Sequence, residues 1–577
     1  MPPSEQITEI IADEALGAII DLDQPINFAM AVSGVGARLT TAIAVSGAVR
    51  DFEQAKATLA ETHKLTPGDN GALLIQEAKR PHRAGGVDDD AKPDQDDDSH
   101  PCELAPAYGA ATTRLVCGWD SKALASLGPW LTRGATRETS TVDAHVDVHV
   151  QPLRPTIAAE KRLFSILLGS MLGGGLGPSG ARDFTQALGG DVADFANDLD
   201  TLSLDVALSD PGAAGTMTLK FSGTSSAMAR VALANADRNG PPPPAFWQMP
   251  GDADFAFFDR GIDANELARG RDLALKIVSD KLAEDGVKDA DAHAIVDALG
   301  KMVSPAPLVF ASGIDADGAL KALAAEGALR GSGDATARRD ASRASAKALL
   351  GWRVVEVDEA ATARIDAMKA LALALARPGV DAAMHAKAGA SLPKVVVAHA
   401  PKDGGLPKDT QHFEVDVPLP ETSASSSAKG KTRAVTPAKP MAIDLYIVPD
   451  GARSWIGVGD GALLVSKMTA ALAGSGDTLR ARPELSVLKD ASLGAGGFFT
   501  GRGVAETGEQ MAAIAGGDSS HDADLFESMG QFPHQGVTPI PFSLTAQPGG
   551  SGTVVLTLQV SRGTVDDLLV AILKHGF

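Results

Sequence analysis

Leu202-Ser-Leu-Asp-Val-Ala-Leu208, followed after a short break by Gly215-Thr-Met-Thr-Leu-Lys-Phe221, decides how this chain is read. Apolar and polar residues alternate through the first run, the period of a strand with one buried face, and the break makes the pair a hairpin. Near the other end the order returns as Phe542-Ser-Leu-Thr-Ala546 and Gly552-Thr-Val-Val-Leu-Thr-Leu558. Two more pairs repeat in the same sequence. Val45-Ser46-Gly47, with Asp51 opening the amphipathic stretch Phe52 to Glu61, matches Ala311-Ser312-Gly313, with Asp317 and the stretch Ala319 to Ala325. Arg114-Leu-Val-Cys-Gly-Trp-Asp120 before a helix over 121–133 matches Arg453-Ser-Trp-Ile-Gly-Val-Gly-Asp460 before a helix over 462–473. Three matches in one order predict an internal duplication.

The best boundary between the copies is Asn239-Gly-Pro-Pro-Pro-Pro244, because a proline run continues neither a helix nor a central strand. This gives an N-terminal unit over 1–240, carrying an acidic insert at 87–103. The C-terminal unit over 245–577 carries extra helices and a flexible Ser, Ala, Lys and Pro-rich loop at 423–440. Strands are expected at 26–32, 39–45, 72–75, 113–117 and 142–150, and again at 254–259, 307–311, 352–357, 394–399, 411–417 and 441–448. Helices are expected at 52–62, 121–133, 158–172, 264–285, 289–303, 317–327, 336–350, 360–376 and 565–573. Many strands are joined by short turns, which favours an α+β class: two related units, each of mostly antiparallel sheet covered by helices.

At 577 residues the chain exceeds one core. A formal charge of -21 argues against nucleic acid as a partner, since phosphate binding needs clustered Lys and Arg. No apolar run reaches the roughly 20 residues that span a bilayer, so no transmembrane segment is expected. The start, Met-Pro-Pro-Ser-Glu-Gln, lacks the pattern of a secretory signal, so the chain is either cytoplasmic or carried a signal that was removed. Cys102 and Cys117 are the only cysteines. Their proximity makes them a disulfide candidate; in a reducing compartment they would be two thiols.

Asp143-Ala-His-Val-Asp-Val-His-Val150 is the sharpest local pattern. On a strand, His145, Asp147 and His149 share one face, and two imidazoles with a carboxylate are zinc-type ligands. Successive same-face residues lie about 7 Å apart, which strains three direct ligands from one straight strand. The alternative is a solvated polar face opposite a valine core face. Asp94-x-Asp96-x-Asp98 imitates the start of a calcium loop, but Ser99 replaces the turn glycine and Ala105 the closing carboxylate. Gly173-Gly-Gly-Leu-Gly-Pro-Ser-Gly180 resembles a phosphate loop without its lysine and reads as a helix terminator. Neither Gly-x-Ser-x-Gly nor His-Glu-x-x-His occurs. No catalytic or cofactor-binding residues are assigned, and no cofactor is expected. Trp119, Trp247 and Trp455 read as packing anchors.

Leu115-Val-Cys-Gly-Trp-Asp120, Leu127-Gly-Pro-Trp-Leu-Thr-Arg133 and Gly240-Pro-Pro-Pro-Pro-Ala-Phe-Trp-Gln-Met-Pro-Gly-Asp-Ala-Asp254 resemble segments of uncharacterised, predicted secreted or lipoprotein-like proteins of myxobacterial type. Ile456-Gly-Val-Gly-Asp460 and Leu479 to Leu488 are similar to a broader class of bacterial envelope proteins. The resemblance implies a periplasmic, cell-surface or secreted location and brings no catalytic residues. Arg182-Asp-Phe-Thr-Gln-Ala-Leu-Gly-Gly-Asp191 resembles a helix-turn of duplicated zinc peptidases, and without their zinc motif implies an inactive relative.

The expected function is therefore a non-enzymatic extracytoplasmic binding or assembly module, with an unknown protein or small hydrophobic ligand as partner and self-association possible. Its site is expected at the seam between copies, around 113–118 and 453–458. The alternative is a hydrolase-like or metal-dependent enzyme built from dispersed residues. A cleft of strongly perturbed titratable groups would favour the enzyme, and an apolar groove a lipid or peptide carrier.

Overall fold

The computed structural model describes residues 19–21, 23–33, 40–77, 101–108, 112–135, 141–155, 157, 190–234, 236–329, 335–388, 393–398, 405–417, 440–505, 532–547 and 552–575. The chain divides into two compact units, Met1–His145 with Pro152–Glu160, and Val146–Gln151 with Lys161–Phe577.

The first unit is built on β1 (Asn27–Ser33), β2 (Thr40–Ala48), α1 (Phe52–Thr62), β3 (His63–Pro67), β4 (Leu73–Glu77), β5 (Cys102–Ala105), β6 (Arg114–Gly118) and α2 (Ser121–Arg133). Both helices start on an aspartate that satisfies an orphan first-turn N–H. Gln54 N donates to Asp51 Oδ1 at 2.7 Å, and Ala123 N to Asp120 Oδ1 at 2.6 Å. The strands form one antiparallel sheet in the order β1-β2-β6-β5-β4-β3. Leu59 of α1 packs with Leu104, Leu115, Cys102 and Cys117, while Leu124 and Leu131 of α2 pack with Ala29, Ala44 and Val116. Cys102 and Cys117 stand directly opposite each other on β5 and β6 and are disulfide-bonded.

The second unit holds β7 (Ala144–His149, its first two residues falling in the first unit), β8 (Leu199–Ser209), β9 (Gly212–Phe221), α3 (Ala227–Ala234), α4 (Pro244–Gln248), β10 (Phe255–Asp259), α5 (Ala264–Glu284) and α6 (Asp289–Met302). It continues with β11 (Leu308–Gly313), α7 (Ala316–Ala328), α8 (Ala335–Leu350), β12 (Trp352–Val357), α9 (Thr362–Leu375), α10 (Pro378–Ala388), β13 (Lys394–Ala398), β14 (Gln411–Val417), β15 (Met441–Asp450) and β16 (Arg453–Gly459). The last elements are α11 (Gly461–Ala473), β17 (Ala495–Phe499), β18 (Ile540–Gln547), β19 (Thr553–Ser561) and α12 (Arg562–His575). All the strands join one sheet of 13, ordered β13-β14-β15-β16-β12-β11-β10-β17-β18-β19-β9-β8-β7. The α+β class with antiparallel sheets and covering helices is as expected.

The long sheet has different neighbours along its two faces. One face carries the main core, where Phe246 of α4 and Leu464 and Met468 of α11 pack with Phe258, Trp352, Val354, Tyr446 and Phe498. On the other face, α6 and α9 cover the β13 end, with Met368 and Leu371 against Val395, Phe413 and Ile447, while Ala546, Val554 and Phe221 are buried at the far end, where α3 meets β18 and β19.

The strand order of the small sheet reappears inside the long one. β1-β2-β6-β5-β4-β3 corresponds position by position to β11-β12-β16-β15-β14-β13. Helix α1 follows β2 as α9 follows β12, and α2 follows β6 as α11 follows β16. Hairpins β8–β9 and β18–β19 close the two series and pair with each other through β9 and β19. Two of the three sequence matches fall on these positions. The match of Val45-Ser46-Gly47 with Ala311-Ser312-Gly313 does not, because the strand placed like β2 is β12, not β11.

Other expectations need correction. The compact units do not divide at the proline run, because β9 pairs with β19 along its length and so ties 199–221 to the C-terminal strands. β3, β5, β17, α3, α4 and α10 are not among the expected elements, and α4 begins on Pro244, the last residue of the proline run. The helix at 158–172, the glycine run at 173–180, the loop at 423–439 and the acidic insert up to Asp98 lie outside the described residues.

Candidate functional site

Strand alternation places Phe255, Phe257 and Asp259 of β10 on one face and Ala256 and Phe258 on the other. Ala256 and Phe258 are fully buried, with the Phe246 ring edge-on to Phe258 at 5.3 Å. Phe255 and Phe257 point away from that core and are only partly buried.

Register extends this second face into a row. Phe257 lies opposite Phe310, Phe310 opposite Val355, and Val355 opposite Ile456. In the other direction Phe257 lies opposite Gly497, Gly497 opposite Phe542, and Phe542 opposite Leu558. Leu558 faces Gly215, which faces Val206. The row thus crosses nine neighbouring strands, from β16 to β8, without a polar side chain. Parallel rows add Phe499, Leu544, Leu556, Met217 and Leu204.

None of Phe255, Phe257, Phe310, Phe542, Leu544, Leu556 and Leu558 is fully buried. Leu204 is 39% exposed and Leu208 66%. The rings of Phe255, Phe257 and Phe310 contact one another at centroid distances of 5.5 to 5.8 Å. Glycine at 497 is a packing requirement, since a Cβ there would sit 2.0 Å from the Ala256 carbonyl oxygen. It also leaves a side-chain gap between Phe257 and Phe542.

Polar groups flank the aromatic cluster. Ser312 lies opposite Phe255, with Arg353 next in that row. At the other end of β10, Asp259 accepts from Gly261 N at 2.7 Å. Burial raises the Asp259 carboxyl above the usual range, against the opposing pull of the Gly261 and Leu308 N–H groups. The reverse face of β8, β9, β18 and β19 is rich in hydroxyls, including Ser203, Thr216, Thr557 and Ser543. This end of the sheet is therefore amphipathic.

The candidates read from the sequence lie elsewhere. His145, Asp147 and His149 alternate along β7 as expected and are exposed. The opposite side is not a uniform valine core face: Val150 is buried, but Val146 is 50% exposed. Among the described residues, no group of three or more His, Cys, Asp or Glu side chains is placed to hold a metal ion. The segments 113–118 and 453–458 are interior strands of their sheets. β6 is paired on both sides, by β2 and β5, and β16 likewise by β12 and β15. Trp455 is a buried anchor whose Nε1 donates to Asp450 at 3.3 Å, and Trp247 packs edge-on against Phe246, whereas Trp119 is 37% exposed.

The other perturbed carboxyls are dispersed. Burial raises Glu103 on β5 and Glu356 on β12, the latter on the covered face. For Asp198, desolvation is the largest single influence and acts upward, but the hydrogen bonds from Ser226 and Ser225 together lower it. Searches among known proteins found no matching family model, no matching curated relative and no matching solved structure.

Proposed function

We propose that this chain is a non-enzymatic, extracytoplasmic binding protein whose ligand is hydrophobic and lies on the aromatic face of the long sheet. The observation that carries this reading is the partly exposed apolar row from Ile456 to Val206, centred on Phe257 and Phe310. Contiguous exposed apolar surface is costly in water and marks interaction sites in soluble proteins. The face offers dispersion and hydrophobic contact, with Ser312, Arg353 and Asp259 at its margins for an amphipathic molecule's polar end.

The disulfide supports an oxidising location, because such bridges persist mainly outside the cytosol. The matching strand orders support descent of the two series from one ancestral unit. On that view the added strand β10 widens the C-terminal copy and supplies two of the three rings of its aromatic cluster.

An acyl chain tests the ligand class. Each buried methylene contributes about 0.8 kcal/mol, so two more methylenes should tighten binding by roughly tenfold. Competition by alkanoates of increasing length against a fluorescent long-chain fatty acid measures this. A rising series supports the reading, and absence of saturable probe binding refutes an acyl ligand.

A further inference from the structure

The correspondence between sheets leaves one strand without its counterpart. In the long sheet, β11 is paired on one side with β12 and on the other with β10. The strand in the matching position of the small sheet is β1, which pairs with β2. Among the described residues no strand pairs with its outer edge.

The sequence of that edge carries none of the usual protective devices. Asn27-Phe-Ala-Met-Ala-Val-Ser33 contains no charge, no proline and no bulge, the usual devices that stop strand addition. Ala29 faces the α2 core and is buried, whereas Phe28 is 38% and Met30 59% exposed. Phe28 lies opposite Val45, in the row that continues to Cys117. This is the face covered by α1, as the Phe310 face is covered at its far end by α9. Phe28 and Met30 therefore stand where Phe310 stands on β11, and Phe310 is covered laterally by Phe255 and Phe257 of β10. The start of β1 is held firmly: buried Arg114 donates to the Pro25 carbonyl at 3.3 Å and to Asn27 Oδ1 at 2.5 Å.

We propose that the outer edge of β1 is a strand-acceptor site for an extended segment of another polypeptide, uncharged at its centre and with large apolar side chains at alternate positions. β10 is the pattern for that occupant: Phe255-Ala-Phe-Phe258 presents two rings to the neighbouring strand on one face. Backbone hydrogen bonds would supply affinity and the Phe28–Met30 face selectivity. The proposal does not rest on the proposed ligand face.

The probe is a synthetic peptide of the sequence Asp254 to Arg260, added to the full-length protein and followed by hydrogen exchange and fluorescence anisotropy. The alternate amides of 27–33 that point away from β2 should exchange faster than those of β2 in the free protein and become protected when peptide is bound. Phe28→Lys/Met30→Lys should weaken peptide binding at least tenfold while the circular dichroism spectrum is retained. Equal binding to this double variant, or no binding by the wild type, overturns the proposal. Strong protection of those outward-pointing amides before peptide is added would also overturn it, with sedimentation distinguishing a second copy from the chain's own segment as the resident strand.

Discussion

Phe257 on β10 and Phe310 on β11 face each other directly across two antiparallel strands, with ring centroids 5.5 Å apart and planes tilted by 32°. Both rings remain partly exposed, although their strands lie in the middle of a sheet of 13. Phe258, one residue along, is fully buried on the other face. Phe258→Ala should therefore destabilise by about 3–5 kcal/mol, as large-to-small core changes do. Phe257→Ala should cost about 1 kcal/mol, the scale of an exposed cross-strand aromatic pair. Urea unfolding of the two variants checks the contrast, and equal losses would show that both faces are covered.

The bridge between Cys102 and Cys117 closes a separation of 15 residues across β5 and β6. Chain entropy assigns such a loop about 3 kcal/mol. Reduction should lower the stability of the small sheet by that order and leave the long sheet intact, as seen by hydrogen exchange at Leu104 and Leu115 against Val354 and Phe498. The denatured, unreduced protein should show no reactive thiol.

Asp254 is 1% exposed and receives Arg502 on both carboxylate oxygens, at 2.9 and 3.0 Å, and Thr500 Oγ1 at 3.0 Å. Removing one partner of a buried pair leaves the other uncompensated. Asp254→Ala should thus destabilise by about 3–5 kcal/mol, read from chemical denaturation. A loss below about 1 kcal/mol would place the pair among weak surface contacts.

Asp259 should make stability depend on pH. Its folded-state carboxyl is raised, so the folded protein holds this proton more tightly than the unfolded chain. The group favours folding at acidic pH, and that contribution is lost as pH rises from the ordinary aspartate range through the raised value. Asp259→Asn removes the ionisation and can still accept from Gly261 N. It should be more stable than wild type at neutral pH, with the gain shrinking as pH falls to the ordinary aspartate range. Thermal melts across that range check it; a gain that persists in acid contradicts the account.

Much of the architecture is written locally. Asp51 and Asp120 mark two helix starts, and alternation marks β8, β9, β14 and β15. β5 carries no local signal, because its four residues follow an acidic run and gain their partners from distant strands. β17, Ala-Gly-Gly-Phe-Phe, hides because glycine disfavours strands, yet the close approach of the Ala256 carbonyl demands glycine at 497. The aromatic face was not legible for a different reason. An apolar residue in a strand reads the same whether its face is covered or open, and only register reveals that Phe257, Phe310 and Phe542 share one face. The matching strand orders likewise need the sheet pairing, since sequence similarity sets β2 beside β11 whereas the strand at its position in the long sheet is β12.

The most direct test is saturation binding of a fluorescent long-chain fatty acid to the wild type, to Phe257→Asp and to Leu373→Asp. Leu373 is 72% exposed on α9 and serves as the control. The account predicts saturable binding to the wild type and the Leu373 variant, and at least a tenfold loss in the Phe257 variant with its fold retained. Absence of saturable binding to the wild type, or equal affinity in all three proteins, would contradict it.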